Sequence, residues 1–339
     1  MSSLVLQWHI TNKCNKRCKH CYQDDYTCEE MDINQLIEIG EQYKELLDEY
    51  NKKNGMSCRG HINITGGEPF TRKDLFQLLD YFKENQNKFT FGILTNGSYL
   101  SEDIVRKLSS YNPRIVQVSL DGDKEIHDDI RGKGSYDEVM RSIRLLNKYG
   151  IKSLVSFTAN NKNYNYFGKV VDSARKAGAY KVWSDRMVPI GSGEVGEVDT
   201  LSPEEVVQYI NILRREKNRF INRHSKTTIS TERSLQFLSG EAKGYNCNAG
   251  KGLIVILENG DIMPCRRLPI VVGNINNESL KDIYFNSPVM MELREEAYKP
   301  KGCEDCKFLK LCNGGAKCIS YGVYGDYKEG DYGCILRNR

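Results

Sequence analysis

The chain has 339 residues, 28% of them charged, and a formal net charge of +4. This length is sufficient for a large hydrophobic core and about two domains. Basic and acidic residues are interspersed, so neither the net charge nor its distribution supports nucleic acid binding. No apolar run approaches the ~18 residues of a membrane span, and the first residues lack the features of a signal peptide. We therefore expect a cytoplasmic protein without a membrane partner.

Strand-like and helix-like segments alternate from residue 4 to residue 220. The predicted strands are Leu4–Ile10, His61–Thr65, Phe89–Leu94, Ile115–Leu120, Lys152–Thr158 and Tyr180–Ser184. The predicted helices are Asn34–Tyr50, Arg72–Glu84, Ser101–Leu108, Tyr136–Tyr149, Tyr166–Ala177 and Pro203–Phe220. This alternation is typical of a parallel sheet with crossover helices. Six repeats predict an α/β fold that forms a partial (β/α)6 barrel of the TIM type rather than a closed barrel of eight.

The composition of the sequence changes after about residue 240, where Gly, Asn and Cys become frequent and helical periodicity weakens. Leu253–Leu257 and Asp261–Pro264 predict a short hairpin, because Asn259-Gly260 between them is a turn signal. We expect a core domain at residues 1–240 and a small, Cys-rich α+β domain at residues 241–339. No low-complexity linker separates them, which favours tight packing of one against the other.

Twelve cysteines in a long chain without a signal peptide favour metal binding or catalysis over a disulfide scaffold. Cys14, Cys18 and Cys21 follow the first predicted strand at spacings x₃ and x₂. Most four-iron clusters have four cysteine ligands, so a loop of three leaves one iron open, and an open metal position is where catalysis takes place. A zinc site is the alternative. Cys28 and Cys58 stand alone and are interpreted as ordinary thiols.

The same three cysteines, followed by the aromatic Tyr22, resemble the CxxxCxxC signature of the radical S-adenosylmethionine (SAM) enzymes. The resemblance implies a (β/α)6 core with its chemistry at the C-terminal ends of the strands, as in other βα barrels. It also implies a [4Fe-4S] cluster whose open iron chelates SAM. An electron from an external donor of the flavodoxin or ferredoxin type would then cleave SAM to methionine and a 5′-deoxyadenosyl radical, which abstracts a substrate hydrogen.

Two strand ends carry further motifs of this family. The sequence TGGEP ends the second predicted strand, and a GGEP-like motif contacts the methionine amino group of SAM in the family, which implies this role for Gly66, Gly67 and Glu68. Ser119 ends the fourth strand, where the resemblance places a serine at the ribose or carboxylate of SAM. Tyr22 is expected to lie against the adenine, because Cys21 holds it near the cluster.

Two other segments near strand ends carry weaker signals. Thr95–Gly97 is interpreted as a turn. His127–Arg131 is also familiar from the family, but it fits a structural ion-pair turn equally well, so both readings stay open. No residue is assigned as a general acid or base.

The seven cysteines after residue 246 resemble the SPASM domain, which carries auxiliary iron–sulfur clusters in peptide-modifying radical SAM enzymes. The resemblance assigns Cys303, Cys306, Cys312 and Cys334 to an outer cluster, and Cys247 and Cys265 to an inner one. The family pattern has a cysteine four residues after Cys312, where this chain has Ala316. The inner cluster therefore either uses Cys318 or is under-ligated, smaller or absent, which gives one or two auxiliary [4Fe-4S] clusters. A pair of zinc knuckles is the alternative.

Auxiliary clusters suit oxidative products, because a second electron must leave after hydrogen abstraction. The resemblance therefore implies maturation of a ribosomally made peptide or protein substrate, with formation of a thioether or carbon–carbon crosslink. The alternatives are sulfatase maturation, oxidation or decarboxylation in haem-type cofactor synthesis, and a non-enzymatic electron-transfer protein, although an electron carrier needs no SAM pocket. No leader-binding domain precedes the first strand, so either a separate protein binds the leader peptide or the substrate binds directly.

Overall fold

The computed structural model describes residues 4–27, 29–193, 199–221, 226–230, 233–240, 244–295 and 299–337. Cys28 lies outside these ranges. The strands are β1 Val5–His9, β2 Gly60–Thr65, β3 Phe89–Thr95, β4 Ile115–Ser119, β5 Ser153–Ala159, β6 Lys181–Arg186, β7 Thr228–Ser230, β8 Leu253–Ile256, β9 Asp261–Met263 and β10 Gly273–Asn274. In the described part of the chain they form one sheet in the order β10-β9-β8-β1-β2-β3-β4-β5-β6-β7.

In the barrel, one or two helices separate each strand from the next strand in the chain. The helices are α1 Ile33–Lys53, α2 Leu75–Glu84, α3 Glu102–Ser109, α4 Lys124–Arg131, α5 Ser135–Lys148, α6 Phe167–Lys176, α7 Pro203–Ile221, α8 Leu280–Asn286, α9 Pro288–Glu295, α10 Leu309–Cys312 and α11 Lys317–Tyr324. None of the helices in the described ranges combines the length and apolar character that a membrane span requires.

The predicted partial barrel is confirmed, since β1 to β6 pair in chain order and every pair is parallel. Two elements that precede the Cys-rich part of the chain were not predicted. Strand β7 extends the sheet beside β6, but it is only three residues long and carries no clear periodicity. Helix α4 includes the segment His127–Arg131, for which a structural ion-pair turn and a ligand role were both left open. Asp123 caps its first turn by accepting a hydrogen bond from Ile126 N, and Gly132 ends it.

Strand residues alternate between a layer packed under the helices and the barrel interior, as the two-residue period of a strand requires. On β4, Val116 and Val118 are fully buried, while Gln117 and Ser119 line the interior. On β1, Leu6 and Trp8 are likewise fully buried. Aliphatic and aromatic side chains therefore fill the layer between sheet and helices, and polar side chains are left facing the interior.

The Cys-rich part of the chain joins the same sheet. The predicted hairpin is present, with β8 antiparallel to β9, but β8 also pairs in parallel with β1, so that Leu6 lies opposite Ile254. The division into residues 1–240 and 241–339 remains a prediction, and residues 241–243 at its boundary lie outside the described ranges. What the structure adds is that backbone hydrogen bonds connect the two parts.

A buried ion pair also connects them. Arg186, at the end of β6, donates from both terminal nitrogens to the two carboxylate oxygens of Asp331, at 2.9 and 2.5 Å. The side chains of this pair are 4% and 0% exposed. The same carboxylate accepts hydrogen bonds from Ala316 N and Gly333 N. Because bidentate charge-assisted bonds fix orientation as well as distance, this pair holds the C-terminal segment against the barrel.

Candidate active site

A cavity of about 1130 Å³, including its space open to solvent, lies at the C-terminal ends of the barrel strands. Seven of the residues predicted as core site residues line it together: Cys14, Cys18, Cys21, Tyr22, Gly66, Gly67 and Ser119. Glu68 is the predicted core site residue that does not line it. Residues from the ends of β2 to β6 complete the wall, so the cavity occupies the position that βα barrels use for catalysis.

Each sulfur of the three-cysteine loop faces a nitrogen donor. The contacts are Lys16 N to Cys14 Sγ at 3.5 Å, Arg131 Nη1 to Cys18 Sγ at 3.8 Å, and Gln23 N to Cys21 Sγ at 3.5 Å. Donors of this kind stabilise thiolates and the sulfurs of iron–sulfur clusters. Burial raises the pKa of the Cys18 thiol to about 11, so a metal must displace its proton at neutral pH. Three thiols with donors around an open cavity fit a site-differentiated cluster.

Helix α4 fixes this loop from the side of β4. Arg131 forms an ion pair with Asp121 and also reaches Cys18. His20 Nε2 lies 3.3 Å from the same carboxylate. Burial alone would raise the pKa of Asp121, but the Arg131 guanidinium and His20 outweigh it and hold that pKa well below its usual range. The segment His127–Arg131 therefore contains a structural ion pair whose cation also contacts the cysteine loop.

The two glycines after β2 pack against the backbone that leads to the cysteine loop. A Cβ on Gly66, whose φ is +131°, would lie 2.0 Å from the carbonyl oxygen of Thr11, and one on Gly67 would lie 2.2 Å from that of Lys13. Gly67 N and Glu68 N donate to these same two oxygens, both at 2.8 Å. The glycines thus permit two loops to join by backbone hydrogen bonds, a requirement that exists before any ligand is bound.

Glu68 is fully buried behind the cavity wall. Its carboxylate accepts hydrogen bonds from Thr95 Oγ1 at 2.8 Å and Asn96 N at 2.7 Å, and burial raises its pKa to about 7. The carboxyl group therefore positions the turn after β3, and a direct contact with SAM remains a prediction. Asn96 itself lines the cavity, so the Thr95–Gly97 segment belongs to the site although its sequence indicated only a turn.

The four cysteines assigned to an outer cluster surround a small cavity of about 280 Å³, including its space open to solvent. Cys303, Cys306, Cys312 and Cys334 line it together with Leu235, Phe237, Leu309, Gly314 and Asp331. Gly330 closes one side, where a Cβ would lie 2.6 Å from Cys303 Sγ. Four thiols around a void, with mostly apolar neighbours, fit a fully ligated four-iron cluster.

The three remaining cysteines form a second group near the barrel. Cys318, on α11, is buried, and burial raises its pKa to about 12, with the neighbouring thiols of Cys265 and Cys247 acting in the same direction. The backbone N–H of Ala316 instead donates a hydrogen bond to the carboxylate of Asp331. The structure thus brings Cys318, and not position 316, towards the other two thiols. Its role as a ligand remains a proposal.

The thiols are not arranged around single points. Within the described ranges, no group of three or more His, Cys, Asp or Glu side chains could hold one metal ion. A structural zinc site needs four ligands within about 2.3 Å of the metal, whereas the outer cysteines border a void. Within these ranges the geometry therefore gives no support to the zinc alternatives.

Two family models match the sequence. The Radical SAM superfamily model matches residues 8–174, and an iron–sulfur cluster-binding domain, SPASM, matches residues 247–307. The chain belongs to the radical SAM superfamily. It is therefore an enzyme whose core binds SAM and a [4Fe-4S] cluster and whose SPASM region binds auxiliary iron–sulfur clusters. Cys312, Cys318 and Cys334 lie beyond the matched SPASM range, so their roles rest on the geometry above.

Relatives cover most of the sequence. The AdoMet-dependent heme synthase of Methanosarcina barkeri is 26% identical, over 98% of this chain and 96% of its own length. The antilisterial bacteriocin subtilosin biosynthesis protein AlbA of Bacillus subtilis is 29% identical, over 88% of this chain and 63% of AlbA. The structure of Streptococcus suis SuiB bound to precursor peptide SuiA has a TM-score of 0.76 at 18% identity, over 98% of this chain and 76% of SuiB. This likeness confirms the predicted α/β fold.

Several residues that line the cavity were not assigned to the site from the sequence. They are Lys16, Asn96, Trp183, Asp185, Arg266 and Arg267. Their shared signal is position: each lies at a predicted strand end or next to a motif cysteine. Residue type alone did not distinguish them from surface positions.

Replacing Gly66 by Ala tests the glycine contact. Because the added Cβ would overlap the Thr11 carbonyl oxygen, we expect the free energy of unfolding to fall by roughly 3 kcal/mol or more and the reconstituted protein to hold less iron. Urea denaturation and iron analysis measure the two effects. Gly55→Ala is the control, since Gly55 also has positive φ but nothing lies within 4 Å of its Cβ; it should cost only about 1–2 kcal/mol and leave the iron content unchanged. Equal losses in both variants would exclude the proposed contact.

Proposed function

We propose that this radical SAM enzyme oxidises a peptide or protein substrate of ribosomal origin and forms a thioether or carbon–carbon crosslink in it. The observation that carries the proposal is that the three-cysteine loop lines a cavity whose wall also includes the residue next to an inner cysteine. Cys14, Cys18 and Cys21 line it directly, and so does Arg266, the residue next to Cys265. An oxidative reaction needs both a site for hydrogen abstraction and a nearby acceptor for the second electron.

The residues of the cavity have separate roles in this proposal. When bound, the reduced cluster and SAM supply a 5′-deoxyadenosyl radical that removes a hydrogen atom from the substrate. The three-cysteine loop would hold the cluster through Cys14, Cys18 and Cys21. The backbone of Gly66 and Gly67 would receive the ammonium group of SAM, and Ser119 would contact its ribose or carboxylate. Glu68 would act indirectly, because its carboxylate fixes the turn that carries Asn96.

Tyr22 would form the adenine side of the pocket. Its hydroxyl donates to the carbonyl oxygen of Gly66 at 3.2 Å, and its ring meets the His9 imidazole edge-on at 5.8 Å. These contacts fix the ring in the cavity wall. A buried aromatic face at this position would exclude water from the reacting groups.

A peptide substrate is supported by two of the relatives described above. One is a bacteriocin biosynthesis protein, and another was solved with a precursor peptide bound. Such a reaction requires an external electron donor, which we propose to be of the flavodoxin or ferredoxin type. A separate protein would present the leader peptide, or the substrate would bind directly.

A second candidate is oxidation of a haem-type cofactor precursor. It is favoured by the similarity to a heme synthase, which extends over nearly the full length of both chains. Mass spectrometry separates the two proposals: peptides encoded beside this gene and a propionate-bearing tetrapyrrole are each incubated with reconstituted enzyme, SAM and reductant. We expect a loss of two hydrogens from a peptide. Loss of carbon dioxide from the tetrapyrrole, with every peptide unchanged, would favour the second candidate.

The three-cysteine loop predicts SAM cleavage. Reconstituted protein with dithionite should convert SAM to 5′-deoxyadenosine and methionine, measured by chromatography. Changing Cys14, Cys18 and Cys21 together to Ala should reduce the product to background, because no thiolate remains to hold the cluster. Cys58→Ala, a thiol outside all three groups, is the control and should retain full activity. Product formation by the triple variant would remove this loop from the reaction.

The auxiliary groups predict residual iron. The triple variant should retain at least one four-iron cluster, seen by Mössbauer spectroscopy and by iron and sulfide analysis, because the outer group has four thiols of its own. Adding Cys318→Ala should lower its iron content further if Cys318 is a ligand, whereas adding Cys58→Ala should not. A triple variant that contains zinc and no iron would contradict the auxiliary-cluster assignment.

A further inference from the structure

Among the described residues that line the cavity, one cation has no carboxylate partner. Its described lining includes the cations Lys16, Arg131, Arg186, Arg266 and Arg267. Four of them are paired: Lys16 with Glu138, Arg131 with Asp121, Arg186 with Asp331, and Arg267 with Asp185. Arg266 has no carboxylate within ion-pair distance among the described residues, and its nearest interaction is with the Tyr22 ring, 5.6 Å from the guanidinium carbon.

A second unsatisfied donor lies in the same wall. The indole nitrogen of Trp183 is buried and has no hydrogen-bond partner, although its N–H can only donate. The Arg233 guanidinium stacks on the ring at 4.3 Å and fixes its orientation. Trp183 and Arg266 both line this cavity, and both also line a second cavity in the barrel that includes Gln7, His61 and Asn63. Buried donors without partners are rare and call for an explanation. Because this nitrogen has almost no exposed surface, a bound acceptor supplies one only when a neighbouring side chain moves aside.

The chemistry of these donors indicates a carboxylate. A guanidinium fork matches the two oxygens of a carboxylate, and a single unpaired positive charge is neutralised by a single negative one. A phosphate group carries about −1.5 to −2 charges at neutral pH and would leave charge uncompensated here. Arg266 and Trp183 line the same cavity as the three-cysteine loop, so a carboxylate bound there would lie in the cavity that is assigned to SAM.

We propose that Arg266 and Trp183 bind the carboxylate of an acidic side chain of the peptide substrate and thereby help to select that substrate. This inference rests on the proposed peptide function. Because Arg266 follows Cys265 directly, the bound carboxylate would hold the peptide beside the inner thiol group. The enzyme would then discriminate against peptides that carry an amide at the same position.

The test uses fluorine NMR of the oxidised, reconstituted enzyme with SAM bound. The chain contains two tryptophans, so 5-fluorotryptophan labelling gives one resonance for Trp183 and one for Trp8, which is fully buried in the core and serves as an internal reference. A capped Gly-Glu-Gly peptide should shift the Trp183 resonance saturably and leave that of Trp8 in place. Capped Gly-Gln-Gly should bind at least tenfold more weakly. Arg266→Gln should weaken the Gly-Glu-Gly affinity tenfold or more, while the exposed Arg144→Gln should not.

Three results would overturn the proposal. The first is a Trp183 resonance that does not respond to Gly-Glu-Gly. The second is a response to propionate but not to the peptide, which would assign the subsite to a small carboxylic acid. The third is an Arg266→Gln variant that loses SAM affinity tenfold with no change in peptide affinity, which would assign Arg266 to the carboxylate of SAM. Since the oxidised enzyme does not turn over, these readings are independent of the 5′-deoxyadenosine assay that tests the function itself.

Discussion

The position of the cluster-binding loop depends on the close approach of two backbone segments. The chain after β1 and the chain after β2 exchange hydrogen bonds through the carbonyl oxygens of Thr11 and Lys13, at distances that leave no space for side chains on Gly66 and Gly67. This contact determines where Cys14 begins its loop. The ion pair of Arg131 with Asp121 then fixes the far side of that loop. The site is thus built from contacts between strand ends rather than from the loop alone.

Most of the barrel could be predicted because its signal is local. Each of the six strands alternates or runs apolar within a few residues, and each amphipathic helix shows its own periodicity. The motif cysteines and the glycine pair are local patterns as well. By contrast, the pairing of β8 with β1 and the ion pair of Arg186 with Asp331 join residues more than 140 positions apart. No periodicity records such contacts, so the sequence could not indicate them.

The same distinction applies to individual site residues. The sequence indicated Glu68 as part of a motif, but not that its carboxylate would accept hydrogen bonds from Thr95 and Asn96. It left the role of Cys318 open because spacing alone does not say which way a side chain on α11 points. Arg266 was not singled out at all, since its unpaired charge is defined by where every nearby carboxylate lies. Motifs identify groups that can react, and partners can be assigned only in three dimensions.

The pairing of β8 with β1 has a consequence for how the chain can be divided and assembled. The edge of β1 that β8 covers would otherwise present unpaired backbone groups, and exposed edges of this kind promote aggregation. A fragment ending near residue 240 would therefore keep all three cysteines of the first loop and still be a poor folding unit. During synthesis, this edge of β1 stays unpaired until β8, almost 250 residues downstream, has been made. Contacts over such separations form slowly. The ribosome must release the chain as far as Ile256, the end of β8, before β1 is paired on both of its edges.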